Sequence, residues 1–232
     1  MKIGLLADIH GNAQALDAVL GKAKTLCVDR LLVAGDCVGY YFEPDKVFDL
    51  LSLWDCTYIA GNHEKMLARA LTDSNYMSEI VKKYGDGLAI AATLLSSTRL
   101  HELISLPISR RLDIAGVAIN LCHGSPWDEN QYVYPDANEA LLKKCAEGGA
   151  DVVVMGHTHY PMMKTVGPSL LVNPGSVGQP RNRIFGAYWA VLEVPQKRVT
   201  FYREDYDVTP VISEARRRHP SLPYLYEVFA KK

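Results

Sequence analysis

The sequence predicts an α/β protein in which two sheets pack together, and three observations predict it. Apolar strand-like runs alternate with helical periodicity as far as residue 63, the pattern of a parallel sheet. The stretch from about residue 63 to 106 is helix-rich. From residue 151 onward, apolar segments follow one another across Gly and Pro turns, as strands with tight connections do. With 232 residues, 48% of them apolar, the chain has material for one sizeable core.

In order, IGLLA (3–7) reads as a buried strand. HGNAQALDAVLGKAK then reads as a helix with Asn12 as N-cap and Ala15, Leu16, Val19, Leu20 and Ala23 on one face. RLLVAGD (30–36), EPDKVFDLLSLW (43–54) and TYIAGNH (57–63) repeat the rhythm as strand, helix and strand, with Pro44 suited to a helical first turn. EKMLARAL, SEIVKKYGDGLAIAATLLSS and ELISL form three helices before Pro107. LDIAGVAINLCHG is a hairpin turning near Gly116, and ANEALLKKCAEGG a helix stopped by glycine. After DVVVMGHTH, the segments PMMKTVG, SLLVNPGS, GAYWAVLEV and RVTFYRE are expected to make a mainly antiparallel sheet. Residues 1–207 are expected to be one domain, with 208–232 an appended helix or arm.

A formal charge of -1 gives no overall pull toward nucleic acid or an anionic membrane, and neither is expected as a partner. Five cysteines, odd in number and without a C-x-x-C pair, fit reduced thiols serving as small core residues in the cytoplasm. Asp8 and His10 interrupt the first apolar run, and no stretch approaches a membrane span. A homo-oligomer is left open.

The polar residues at the strand ends carry the functional signal. Asp8 and His10 follow the first strand, Asp36 the second, and Asn62 and His63 the third; such ends form one ligand-binding rim in an open parallel sheet. His123 follows VAINLC, and His157 and His159 follow DVVVM. Glycine adjoins each motif, so backbone and ligand can approach closely. Taken singly, each of these histidines suits a hydrogen-bonded structural role; five of the chain's seven gathered with two Asp and one Asn suit divalent metal. Two cations held together repel, so a shared anion must sit between them, and Asp36 is the candidate. Water activated there would supply hydroxide as nucleophile, and no side-chain nucleophile is required.

The series D-x-H (Asp8, His10), G-D (Asp36), G-N-H-E (Asn62, His63, Glu64), H-G (His123) and G-H-T-H (His157, His159) resembles the calcineurin-like metallophosphoesterases. NPGSVGQPR (173–181) resembles their small bacterial and archaeal phosphodiesterase branch. The resemblance implies a four-layer α/β/β/α sandwich of two mixed sheets. It implies two divalent transition-metal ions, manganese, iron, zinc, nickel or cobalt, one held by Asp8, His10, Asp36 and His159 and the other by Asp36, Asn62, His123 and His157. It further implies that His63 is no ligand but a general acid beside the leaving oxygen, or a stabiliser of phosphoryl charge. Two departures stand out: GDCVGYYFEP is bulky after Asp36, and Glu64 replaces the commoner aspartate. The expected activity is hydrolysis of a small-molecule phosphate ester, foremost a diester, with a bridging hydroxide as nucleophile. Alternatives are a monoesterase, a dinucleoside polyphosphate hydrolase, or a catalytically silent scaffold; the complete ligand set disfavours the scaffold.

Asn12 at a helix N-terminus and Arg181 beyond the glycine loop are candidate substrate contacts, against plain capping and a solvated loop. Tyr40, Tyr41, Phe42, Trp127, Tyr132 and Tyr134 flank the motif loops and could wall a nucleobase or aryl group; core packing explains them as well. His101, His219 and the run RRRH at 216–219 read as surface or capping residues. Neither a G-x-S-x-G elbow nor a phosphate loop is present.

Overall fold

The computed structural model describes residues 1–230 and contains two five-stranded mixed sheets. The first runs β10 (Arg198–Glu204), β9 (Ala187–Glu193), β1 (Lys2–Leu6), β2 (Arg30–Val33) and β3 (Cys56–Tyr58). The second runs β4 (Ser109–Ile114), β5 (Val117–Cys122), β6 (Val152–Val154), β8 (Ser169–Asn173) and β7 (Met162–Val166).

Strand alternation sorts the apolar residues into layers. Ile3, Leu5 and Leu32 face Ile119, Leu121, Val152 and Val154 in a core between the sheets. On the outer face of the first sheet, Leu6, Leu31, Val33 and Trp189 pack against α1 (Ala13–Thr25), α2 (Pro44–Ser52), α3 (Asn62–Ala70), α4 (Ser74–Tyr84), α5 (Gly87–Leu94) and α6 (Ser97–Ile104). The second sheet turns Cys122, Val153 and Leu171 toward Cys145 of α7 (Glu139–Ala146). The result is the four-layer α/β/β/α sandwich. The expected apolar face of α1 is buried residue for residue, and Asn12 caps that helix by accepting from Ala15 N at 3.1 Å. The β4–β5 hairpin turns at Ala115 (φ 52°) and Gly116 (φ 75°), both left-handed as a two-residue type I′ turn requires.

Three expectations are corrected. The segment SEIVKKYGDGLAIAATLLSS is not one helix: Gly85, at φ 82°, ends α4, α5 follows, and Ser96 caps α6. The strands after residue 151 do not make a mainly antiparallel sheet of their own. β6 pairs in parallel with β5 and β8, while the β9–β10 hairpin crosses to the first sheet, with Lys2 opposite Glu193. Burial explains both, because β6 and β9 are apolar on both faces and need cover from both sides, which only an interior place in a sandwich provides. Cys27 is exposed rather than a core residue.

The chain ends in α8 (Thr209–Arg218) and α9 (Tyr224–Glu227), whose Val211, Ala215 and Leu225, with Phe229, pack on Tyr40 and Tyr41. Among the described residues no helix is long and apolar enough to cross a membrane.

Candidate metal centre

The site sits where β1, β2, β5 and β6 end. At the ends of β1, β2 and β6 the chain turns sharply, and the side chains there face the cleft between the sheets. The turns use residues in the left-handed region: Asp8 and His10 at φ 54°, Asp36 at 54°, His157 at 66° and His159 at 62°. Non-glycine residues seldom adopt that conformation, and at roughly 1–3 kcal/mol each they persist where the surroundings over-determine them. The crowding is such that a Cβ on Gly61 would collide with the Asp36 carboxylate.

All seven expected ligands converge. His159 Nε2 lies 3.4 Å from Asp8 Oδ1, and His10 Nε2 lies 3.2 Å from His159 Nε2 and 4.0 Å from Asp8 Oδ1. His123 Nε2 lies 3.0 Å from Asn62 Oδ1 and 3.3 Å from Asp36 Oδ2. The same Asp36 oxygen is 3.8 Å from His10 Nε2, so its carboxylate reaches both groups. Donor atoms of Asp8, His10 and His159 all fall within 4.8 Å of one another, as do those of Asp36, His123 and His157; His63 makes a third such group with His10 and Asp36.

Hydrogen bonding settles which nitrogens face inward. His10, His123 and His159 direct Nδ1 at the carbonyl oxygens of Val38, Ala34 and Gln179, at 3.2, 2.6 and 2.5 Å. A carbonyl only accepts, so Nδ1 carries the proton and, in the neutral ring, Nε2 offers a lone pair. Lone pairs on His10 and His159 therefore point at each other, and buried His157 Nε2 has no hydrogen-bond partner among the described residues. Imidazole nitrogens grouped with carboxylate and amide oxygens in this way could hold divalent metal.

The electrostatics agree. Burial holds His10 and His159 well below the usual imidazole range and lowers His157 to about 4, so these rings are neutral donors at neutral pH. Burial likewise raises Asp8 to about 7. It opposes charge on Asp36 too, yet His123, His63 and His10 keep that carboxyl well below its ordinary value. His123 is the exception among the rings: burial opposes its protonation, but Asp36 and Asp8 lift it to about 10.

Glu64 is the residue that sequence reasoning missed. Its fully buried carboxylate accepts hydrogen bonds from Asp36 N (2.9 Å), Cys37 N (2.8 Å), Val38 N (3.2 Å) and Gly61 N (2.8 Å). It thereby ties the loop bearing Asp36 to the N-terminus of α3, which carries Asn62 and His63. The only signal in the sequence was its place in G-N-H-E.

His63 is buried, with its ring centroid 4.7 Å from those of both His10 and Tyr40, and its Nδ1 has no hydrogen-bond partner among the described residues. Arg181 lines the cleft and donates from Nη2 to Tyr40 Oη and Gln179 Oε1, each at 3.1 Å. The expectation that Asn12 touches substrate is corrected: it is 1% exposed, and Nδ2 donates to Gly178 O and Tyr206 Oη, both at 3.0 Å. Among the aromatics, Tyr40 and Tyr132 line the cleft, Tyr132 lying 4.1 Å from the His157 ring, whereas Tyr41 is core. His101 is exposed on α6, and His219 bonds Asp86.

Known proteins resemble this chain in sequence and fold. Residues 1–197 match the calcineurin-like phosphoesterase superfamily domain. An uncharacterized protein of Methanocaldococcus jannaschii is 28% identical, over 89% of this chain and 88% of its own. A probable metallophosphoesterase of Methanothermobacter thermautotrophicus is 30% identical over 60% of this chain and 69% of its own. Among solved structures, a metallophosphoesterase from Sphaerobacter thermophilus superimposes with a TM-score of 0.80 at 25% identity, covering all of both chains. A hypothetical protein from Pyrococcus horikoshii, at 22% identity, gives 0.85 over 100% of this chain and 98% of its own. The match spans the whole ligand set, and the chain therefore belongs to the calcineurin-like phosphoesterase superfamily, as a phosphoesterase of the metal-dependent kind.

Proposed function

We propose that the protein is a phosphodiesterase working with two divalent transition-metal ions, manganese, iron, zinc, nickel or cobalt. Asp8, His10, Asp36 and His159 hold one, and Asp36, Asn62, His123 and His157 hold the other. The observation that carries this reading is the Asp36 carboxylate, whose Oδ2 reaches His10 from one group and His123 from the other. Bound ions there supply Lewis acidity, activating water near neutral pH and taking up charge on the phosphoryl group.

The chain's own residues do the rest. Arg181, the one Lys or Arg lining the cleft among the described residues, holds a phosphoryl oxygen. A single guanidinium suits a singly charged diester better than a doubly charged monoester. His63 stands beside the leaving oxygen. Burial lowers its pKa, so the ring is neutral and acts by donating an N–H to the charge that develops there. Tyr40, Tyr84 and Tyr132 line the cleft around the phosphoryl position, where they would flank the organic groups of the ester. Residues 1–207 form the catalytic domain, 208–232 are an arm added to it, and the protein works in the cytoplasm on small molecules.

The test is a chelator-stripped sample reloaded with each metal in turn. It is assayed on bis-aryl diesters, aryl monoesters, cyclic nucleotides and dinucleoside polyphosphates. Diesters should turn over fastest, and only after metal is restored. Turnover without added metal, or a clear preference for monoesters, overturns the reading.

A further inference from the structure

The cleft over the ligands has a volume of only about 60 Å³, enough for a phosphoryl group and little else. Beside it opens a second cavity of about 460 Å³, within the size range of small-molecule sites. Tyr40, Tyr84 and Arg181 line both spaces. The outer wall of the larger one comes from the C-terminal arm, through Tyr224, Glu227 and Val228.

Its lining is a set of rings. The Tyr40 ring centroid lies 6.2 Å from that of Tyr84 and 6.3 Å from that of Tyr224, at 77° and 81°, so the rings surround the space rather than stacking it shut. The wall is fixed, because Tyr224 Oη donates to Lys83 O (2.7 Å), Tyr41 Oη to Leu225 O (3.0 Å), and Arg218 pairs with Asp86 (2.9 Å). Arg181 stands at the junction, where it can hold an anion over the ligands while the rest of the molecule passes it. Glu227 brings a carboxylate that accepts from amino or hydroxyl groups and repels a further phosphate.

We propose that this cavity receives one organic arm of the ester, that the arm ends in a planar aromatic ring such as a nucleobase, and that Tyr224 sets this preference. The inference rests on the phosphoesterase reading for the position of the phosphate, and it makes the arm a working part of the site. Aromatic walls favour such a ring by stacking and edge contacts, whatever its exact identity.

The test measures binding, not turnover. Adenosine 5′-monophosphate and ribose 5-phosphate are titrated by calorimetry into the full-length, manganese-saturated protein. The wild type should prefer the adenosine compound by roughly 5- to 150-fold, the range expected for stacking one base. Tyr224→Ala should lose at least about fivefold of that preference while its ribose 5-phosphate affinity holds within about twofold. Tyr224→Phe, which keeps the ring and loses only the bond to Lys83, should retain the preference. Tyr224 is 39% exposed, so neither change threatens the core. The proposal is overturned if the wild type has no preference, if Tyr224→Ala keeps it, or if both ligands weaken together. Failure to hydrolyse any ester would sink the phosphodiesterase reading alone, since binding is read without chemistry.

Discussion

The Nε2 atoms of His10 and His159 face each other at 3.2 Å, in a site where both rings are buried and both Nδ1 atoms are committed to carbonyl oxygens. Two lone pairs so placed repel, and a cation between them turns that repulsion into attraction. Metal should therefore stabilise the fold. At a manganese concentration 100 times the dissociation constant, one site contributes about 2.7 kcal/mol. For a chain of this length that is a rise in Tm of roughly 5–10 °C, reversed by chelator, which thermal unfolding with and without manganese checks.

Asp36 and His63 should fail in different ways. Asp36→Asn removes the carboxylate that reaches both ligand groups, so metal analysis should find both ions depleted. His63→Ala should leave metal content near that of the wild type and lower turnover by about 10² to 10⁴, or ~3–5 kcal/mol of barrier. Equal metal loss in the two variants would show that His63 is a ligand.

Glu64→Gln should destabilise the protein by about 2–4 kcal/mol, measured by urea unfolding at fixed metal concentration. An amide keeps one acceptor oxygen and turns a donor toward backbone N–H groups that now meet a carboxylate, leaving buried donors unsatisfied. The same variant should bind metal more weakly, because the loop carrying Asp36 loses its tie to α3.

Gly39 adopts φ 92°, and a Cβ there would run into the His63 ring. Gly39→Ala should cost about 1–3 kcal/mol of stability from the backbone alone. It should also lower turnover by displacing His63, with metal content unchanged; wild-type kinetics in this variant would remove His63 from the mechanism.

Most of the candidate metal site was legible in the sequence because each motif follows a strand and contains or adjoins a glycine, so short local patterns carry it. Glu64 was not, since its task is to accept from four backbone groups on two separate loops, and nothing local distinguishes such a carboxylate from a solvated one. The fold divides along the same line. The helix α1 and the β4–β5 hairpin follow from caps, periodicity and turn residues close in the chain. The β9–β10 hairpin was read correctly as strands and assigned to the wrong sheet, because period-two patterning reveals faces but not partners, and Lys2 and Glu193 meet across nearly the whole chain. Asn12 was legible as a cap through Oδ1, but not the engagement of its Nδ2 by Gly178 O and Tyr206 Oη, partners far along the chain.

The left-handed turns at Asp8, His10, Asp36, His157 and His159 leave the backbone that carries these donors few alternative conformations. Loading should then leave the backbone almost still. A cage that stiff cannot swell or shrink around its guest, so ionic radius, more than raw affinity, will decide which metal supports turnover.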